Sequence, residues 1–146
     1  MNSNEIEISV KRIFENFSKE EFPFDLLLAY GISKTSITRP FVGSSEFIKG
    51  NYRYCLWIEE HNKIDASQIP EISKRINSVM QYRLNSDRDA TKVLAKFAYR
   101  FDEVRHENVD ALLVPRHSSD TREYIPIGFF NSETIIADSA LAIYGA

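Results

Sequence analysis

Residues 114–130 read VPRHSSDTREYIPIGFF: an apolar run, a polar turn and a second apolar run. Apolar runs bounded by turn residues are typical of strands, so residues 111–114 and 124–130 are predicted to form two strands joined by this turn. Hydroxyl and guanidinium donors within a few residues of one another suit the binding of an anion such as phosphate. The turn offers four such side chains: Arg116, Ser118, Ser119 and Arg122.

Helix and strand patterns are mixed in the rest of the chain. Residues 52–58 alternate in the manner of a strand, and residues 69–84 carry apolar side chains at helical spacing. Residues 4–17 show the same helical spacing, and a further helical turn is predicted up to Arg39. Because strands and helices do not alternate regularly, the predicted class is α+β, with N-terminal helices followed by a small mixed or antiparallel sheet packed with helices.

The composition is that of a globular protein of one domain. The chain has 146 residues, of which 43% are hydrophobic, and no apolar run approaches the length of a membrane span. Its N-terminus carries acids where a secretory signal would carry bases, which predicts a cytoplasmic location without membrane association. The single cysteine, Cys55, excludes an internal disulfide and a cysteine-clustered zinc site. The three histidines lack ligand spacing, so no metal is expected.

The distribution of charge is uneven along the chain. The formal net charge is −3, which does not favour a protein that wraps DNA. Residues 71–105 nevertheless hold eight basic and five acidic side chains, whereas residues 106–146 hold two basic and six acidic ones. The basic segment is either a phosphate-facing surface or an ordinary solvated helix face. On the first interpretation, Arg83 and Lys92 contact DNA phosphates.

A second stretch, residues 39–58, reads RPFVGSSEFIKGNYRYCLWI. This stretch and the block PRHSSDTREYIPIGF at residues 115–129 together resemble the target-recognition domain of MmeI-like DNA methyltransferases, the single-chain type II restriction-modification enzymes. The resemblance covers about residues 39–146. It implies that double-stranded DNA is the partner, and that bases are read near Asp138 and Ser139.

The segment before this stretch has a different character. Residues 24–39, FDLLLAYGISKTSITR, resemble the N-terminal head of adenine-specific type II methyltransferases, and also a helix-turn-helix with Gly31 at its turn. The predicted division is therefore a helical N-terminal segment, residues 1–38, and a target-recognition-like domain, residues 39–146. One compact unit is the alternative.

The motifs for methyl transfer are missing from the chain. Binding of S-adenosylmethionine in the resembled family needs a glycine-rich loop, and holding the adenine needs a Pro-Pro-aromatic motif, but there is no Gly-x-Gly and no Pro-Pro. The expected function is a non-catalytic, cofactor-free DNA-binding module or remnant of such a methyltransferase. Two alternatives stay open: a small regulator that uses residues 24–39 as a helix-turn-helix, and a folded remnant that acts only through protein interaction, for example with a methyltransferase subunit.

Overall fold

The computed structural model describes residues 37–146, and the predictions for residues 1–36 lie outside this range. The helices are α1 (Ser44–Lys49), α2 (Lys63–Gln68), α3 (Pro70–Leu84) and α4 (Asp89–Val93), which runs into a 3-10 helix (Leu94–Phe97). The strands are β1 (Thr38–Val42), β2 (Arg53–Leu56), β3 (Ala111–Pro115), β4 (Gly128–Phe130), β5 (Ile135–Ile136) and β6 (Ala140–Tyr144). The described residues thus confirm the α+β class.

The described chain divides into two compact units. The helical unit contains residues 37–38 and Cys55–Val104, and the sheet unit contains Arg39–Tyr54 and Arg105–Ala146. Strands β1 and β2 run from one unit into the other. The predicted domain boundary between residues 38 and 39 therefore falls within β1, and the separate N-terminal domain stays a prediction.

Helix α3 organises the helical unit. Pro70 stands at its first turn, where a missing N–H costs nothing. Ile72, Ile76 and Val79 follow at spacings of four and three, so they lie on one face of the helix. Ile72 and Val79 are buried there. The main core of this unit consists of Ile37, Leu56, Ile58, Ala66, Ile69, Ile72 and Tyr99.

Two three-stranded sheets are present among residues 37–146, with the strand orders β2-β1-β5 and β4-β3-β6. In the first sheet β1 and β5 are parallel, with Phe41 beside Ile135. In the second sheet β3 lies between two antiparallel neighbours. Its inner face packs Leu113 and Ala140 against Val42 and the α1 residue Phe47. Gly50 ends α1 with a φ of 71°, a conformation that glycine adopts without strain.

Two local predictions are wrong. Thr38–Val42 is a strand rather than the end of a helix, although it contains Pro40. A helix-turn-helix recognition helix therefore does not extend through Thr38 and Arg39. The second strand of the opening stretch is shorter than predicted, because only Gly128–Phe130 pairs with β3. None of the helices in the described range is long and apolar enough to cross a membrane.

Candidate nucleic-acid interface

Three segments of the sheet unit meet at Ser44, whose side chain is buried at the start of α1. The Ser44 hydroxyl donates to the carbonyl oxygen of Ser139 and accepts from the backbone N–H of Arg116 at 3.2 Å. The backbone N–H of Ser44 donates to the Ser139 hydroxyl, also at 3.2 Å. Because a single hydroxyl can both donate and accept, Ser44 joins the residue that follows β3 to the residue that precedes β6.

The strand register explains why these residues meet. Pro115 pairs with Ala140 in the antiparallel ladder of β3 and β6, so Arg116 and Ser139 occupy the next positions along the two strands. Space for the Ser139 side chain depends on Gly43. A Cβ at this position would lie 2.3 Å from the Ser139 hydroxyl oxygen and 2.8 Å from a Glu46 carboxylate oxygen. The glycine therefore permits the close approach of the segment before β6.

Two guanidinium groups share one oxygen of Asp138. Nη2 of Arg116 lies 3.0 Å and Nη1 of Arg105 lies 3.3 Å from Oδ1 of Asp138. The three side chains are between 42% and 79% exposed, so water screens both pairs and each contributes at most about 1 kcal/mol. An exposed pair of arginines held this weakly can exchange the carboxylate for a phosphate oxygen.

The turn that follows Arg116 is exposed and shaped by its own hydrogen bonds. The Ser119 hydroxyl lies 2.7 Å from the Thr121 hydroxyl and accepts from the Thr121 backbone N–H at 3.2 Å. The Ser119 carbonyl accepts from the Arg122 N–H at 3.2 Å. Ser118 and Arg122 are exposed, and within residues 37–146 no ion pair involves Arg122. The turn therefore presents a hydroxyl and a guanidinium group to solvent.

The other two predicted contacts, Arg83 and Lys92, belong to the helical unit. Arg83 is buried, and its guanidinium donates to the carbonyl oxygens of Leu94 (3.0 Å), Phe97 (2.9 Å) and Arg100 (3.0 Å). This arrangement favours a structural role for Arg83 over contact with a phosphate. Lys92 is at the surface, with its Nζ 3.5 Å from an Asp89 carboxylate oxygen. Contact between either side chain and DNA stays a prediction.

The sequence alone does not mark two residues of the cluster formed by Ser44, Arg105, Arg116 and Asp138. Arg105 is one of the eight basic residues of the segment 71–105, and Ser44 is one of two adjacent serines in the stretch 39–58. No local signal marks either one, because their partners lie 33 and 95 residues away along the chain. No group of three or more His, Cys, Asp or Glu side chains that could hold a metal ion occurs in the described range.

Acid is expected to destabilise the protein through His106. Burial lowers the pKa of His106 from its ordinary value of 6.5, and the ring packs edge-on against Tyr144 with centroids 6.0 Å apart. Unfolded His106 therefore binds a proton at a higher pH than the folded side chain does. The stability contributed by the neutral ring is present above about pH 6.5, and it is lost as the pH falls through the folded-state pKa.

Urea unfolding at a series of pH values measures this effect. The wild-type midpoint should fall as the pH is lowered from about 7.5 to about 5.5, the range in which histidine titrates. His106→Gln should flatten the dependence, whereas His61→Gln should leave it intact, because His61 is exposed. An unchanged pH dependence in the His106→Gln variant would contradict the assignment.

Comparison with known proteins agrees with the resemblance seen in the sequence. Residues 18–146 match the family model described as "MmeI, target recognition domain". The chain is 34% identical over 108 residues to DNA methyltransferase A of Bacillus subtilis (strain 168), a match that covers 74% of this chain and 12% of that protein. A solved structure of the Type IIL restriction-modification enzyme MmeI in complex with DNA is 30% identical, with a TM-score of 0.77.

The chain spans only a small part of each relative. The match to the MmeI structure covers 92% of this chain and 18% of the MmeI chain. The similarity therefore concerns one part of a larger enzyme and does not extend to the whole of it. Since the family model itself covers most of the sequence, this chain belongs to the family of MmeI target recognition domains.

Proposed function

We propose that this chain is a non-catalytic DNA-binding module, either the target-recognition part of a type II restriction-modification methyltransferase or a remnant of one. The observation that carries the proposal is the exposed pair of Arg105 and Arg116 on Asp138, at the start of a turn rich in donors. That MmeI was solved in complex with DNA supports double-stranded DNA as the partner.

The arginine pair on Asp138 and the turn at residues 116–123 both supply groups that can bind a phosphate backbone. Arg116 and Arg105 together can replace the Asp138 carboxylate by a phosphate oxygen, and Arg122 offers a further guanidinium along the same turn. Ser118 and Ser119 add hydroxyl donors. Contacts to phosphates position a protein on the duplex but carry no sequence information by themselves.

Sequence reading requires contacts to base edges, for which Asp138 and Ser139 are the candidates. Both are exposed next to the arginine pair. An aspartate carboxylate accepts from the amino group of cytosine, and a serine hydroxyl can serve either as donor or as acceptor in the major groove. The proposal is that phosphate contacts by the arginines bring these two side chains to the groove.

We propose that the catalytic residues lie in other parts of the enzyme. The family is described as a target recognition domain, and the motifs for methyl transfer are missing from the sequence. We propose that the chain itself binds no S-adenosylmethionine, acts on DNA in the cytoplasm, and works with a methyltransferase subunit that supplies the chemistry.

Arg122→Ala is expected to weaken binding to duplex DNA about equally for all sequences. Loss of one phosphate contact should also reduce the slope of log affinity against log salt by about one unit. Fluorescence anisotropy with labelled duplexes over a range of salt concentrations measures both quantities. Stability should change by less than about 0.5 kcal/mol, because Arg122 is exposed.

Lys49→Ala provides a matched control for this variant. Lys49 is also an exposed cation of the sheet unit, but it stands at the far end of α1 from Ser44. Its removal changes the net charge by the same amount, so it should leave the salt slope nearly unchanged if the site is local. Equal effects of the two variants on the salt slope would indicate a general charge effect and contradict a local site. If Arg122→Ala has no effect on DNA binding, the turn is not part of the interface.

A further inference from the structure

Helix α3 of the helical unit has an exposed polar face that the site described above does not use. Residues three and four positions apart are neighbours on the surface of a helix. Four exposed side chains at these spacings form the face, and we refer to them as the α3 polar face: Lys74, Asn77, Ser78 and Gln81. The buried residues Ile72 and Val79 lie on the opposite side of the helix.

The α3 polar face contains no carboxylate. Residues 72–86 include three basic residues and no acidic one, and the nearest acids are Glu71 in the first turn and Asp87 beyond the end of the helix. Within residues 37–146 the ammonium group of Lys74 takes part in no ion pair. The face therefore presents one positive charge together with amide and hydroxyl groups, all of which can donate hydrogen bonds.

The residues of this face are not those that would stabilise the helix best. Asn77 and Ser78 stand in the middle of α3, although asparagine and serine have low helix propensity. The Ser78 hydroxyl donates to the Lys74 carbonyl oxygen at 2.9 Å, a bond back to the helix that slightly destabilises it. At exposed positions stability alone favours alanine, glutamate or lysine. Departures of this kind from local preference are expected where a residue serves binding.

We propose that the α3 polar face contacts base edges in the major groove of duplex DNA. This inference rests on the proposed function and adds a second contact, in the helical unit. The major groove is about 12 Å wide and admits an α-helix, and the 15 residues of α3 extend over about 22 Å. Asparagine and glutamine bond to N6 and N7 of adenine, and a serine hydroxyl bonds to several base edges. Lys74 supplies a cation for a phosphate.

The buried side of α3 holds the polar face in a fixed position. Ile72 belongs to the main core of the helical unit, and Val79 packs with Ala98. A helix anchored along its length presents its polar groups with little freedom, as recognition of base edges requires. An apolar protein surface would leave these donors unsatisfied, whereas DNA offers both acceptors and negative charge. Duplex DNA is therefore the partner that the chemistry of the face fits.

A matched pair of charge substitutions tests the position of the contact. Gln81→Glu puts a carboxylate on the α3 polar face, and Gln68→Glu makes the same change at an exposed residue at the end of α2. Both residues lie near the C-terminal end of their helix, so the two changes affect the helix dipole similarly. In fluorescence anisotropy with labelled random-sequence duplexes, Gln81→Glu should raise the dissociation constant about tenfold, because the carboxylate faces phosphates. Gln68→Glu should change it by less than about twofold.

Asn77→Ala tests the contact with a base. Alanine is the better helix former, so the urea midpoint of this variant should stay the same or rise. Selection from a pool of random duplexes should enrich a motif with the wild type, and one base pair of that motif should become unconstrained with Asn77→Ala. Affinity for the wild-type motif should fall about tenfold, the effect of losing one bidentate base contact. A variant that is no less stable and yet binds more weakly cannot owe its weaker binding to unfolding.

Three results would overturn the proposal: equal effects of Gln81→Glu and Gln68→Glu, no enriched motif with the wild type, or the same motif with the wild type and Asn77→Ala. Each would leave the α3 polar face as solvated surface. Wild-type protein that does not bind the random duplexes at all would contradict the proposed function itself. If Arg122→Ala weakens binding while Gln81→Glu and Asn77→Ala do not, only the contact by α3 is contradicted.

Discussion

Replacement of Arg83 by alanine is expected to lower the free energy of unfolding by about 3–5 kcal/mol, because it deprives three carbonyl oxygens of a charged donor and leaves a cavity. In the folded protein the Arg83 guanidinium binds the carbonyl oxygens of Leu94, Phe97 and Arg100, which belong to the 3-10 helix and the residues just after it. The Phe97 carbonyl also accepts from the Arg100 backbone N–H at 3.2 Å, so the guanidinium is its second donor. Denaturant unfolding measures the loss.

Two further variants make this result specific. Arg83→Lys should recover only part of the stability, because a single ammonium group cannot present donors in the planar fork that reaches all three oxygens. Lys74→Ala, which removes an exposed cation from the same helix, should cost less than about 0.5 kcal/mol. A loss for Arg83→Ala no larger than that for Lys74→Ala would contradict the structural role. In that case the phosphate contact predicted from the sequence becomes the better explanation for Arg83.

Leu113→Ala is expected to destabilise the protein by about 2–5 kcal/mol, the range typical for removal of a fully buried leucine. Leu113 is completely buried at the centre of β3, between the sheet and the core formed with Val42 and Ala140. The neighbouring strands on both sides prevent the backbone from collapsing into the space. The measurement is denaturant unfolding at low protein concentration.

The adjacent residue on the same strand is the natural control. Leu112 points to the opposite face of the sheet, between Phe129 of β4 and Ile143 of β6, and is only partly buried. Leu112→Ala should therefore cost about 1 kcal/mol at low concentration, since less of its side chain leaves water on folding. Similar losses for Leu112→Ala and Leu113→Ala would contradict the assignment of the two faces of this sheet.

Periodicity predicted the longest element well. The sequence pattern indicated a helix over residues 69–84, and α3 spans Pro70–Leu84. Arg83 itself continues the buried stripe, four residues after Val79, so its burial could have been read from the same spacing. Charge composition counts side chains without regard to the face of the helix on which each lies.

Strand β1 shows where secondary structure cannot be predicted from neighbouring residues alone. Pro40 suggested a break after a helical turn, yet Thr38–Val42 forms a strand in the middle of the order β2-β1-β5. Pairing with β5 across more than ninety residues outweighs the local preference, because strands gain stability from neighbours that need not be close in sequence. Likewise, the turn 116–123 was predicted correctly as a turn, but the apolar residues 124–127 do not pair with β3.

The sequence by itself determined the family, the α+β class, the α3 helix and the donor-rich turn that follows β3. Each of these can be recognised from motifs, spacings or the order of elements along the chain, without knowing which distant residues meet. Only the tertiary structure decided that Arg105, Arg116 and Asp138 form one cluster, that Arg83 is buried, and that the β4-β3-β6 sheet exposes Phe129, Leu141 and Ile143. The meeting of Arg116 and Asp138 depends on the register between β3 and β6, and the burial of Arg83 depends on the packing of the 3-10 helix and the residues after it against α3. A register is set by the packing of the whole sheet, and no single stretch of the chain contains it.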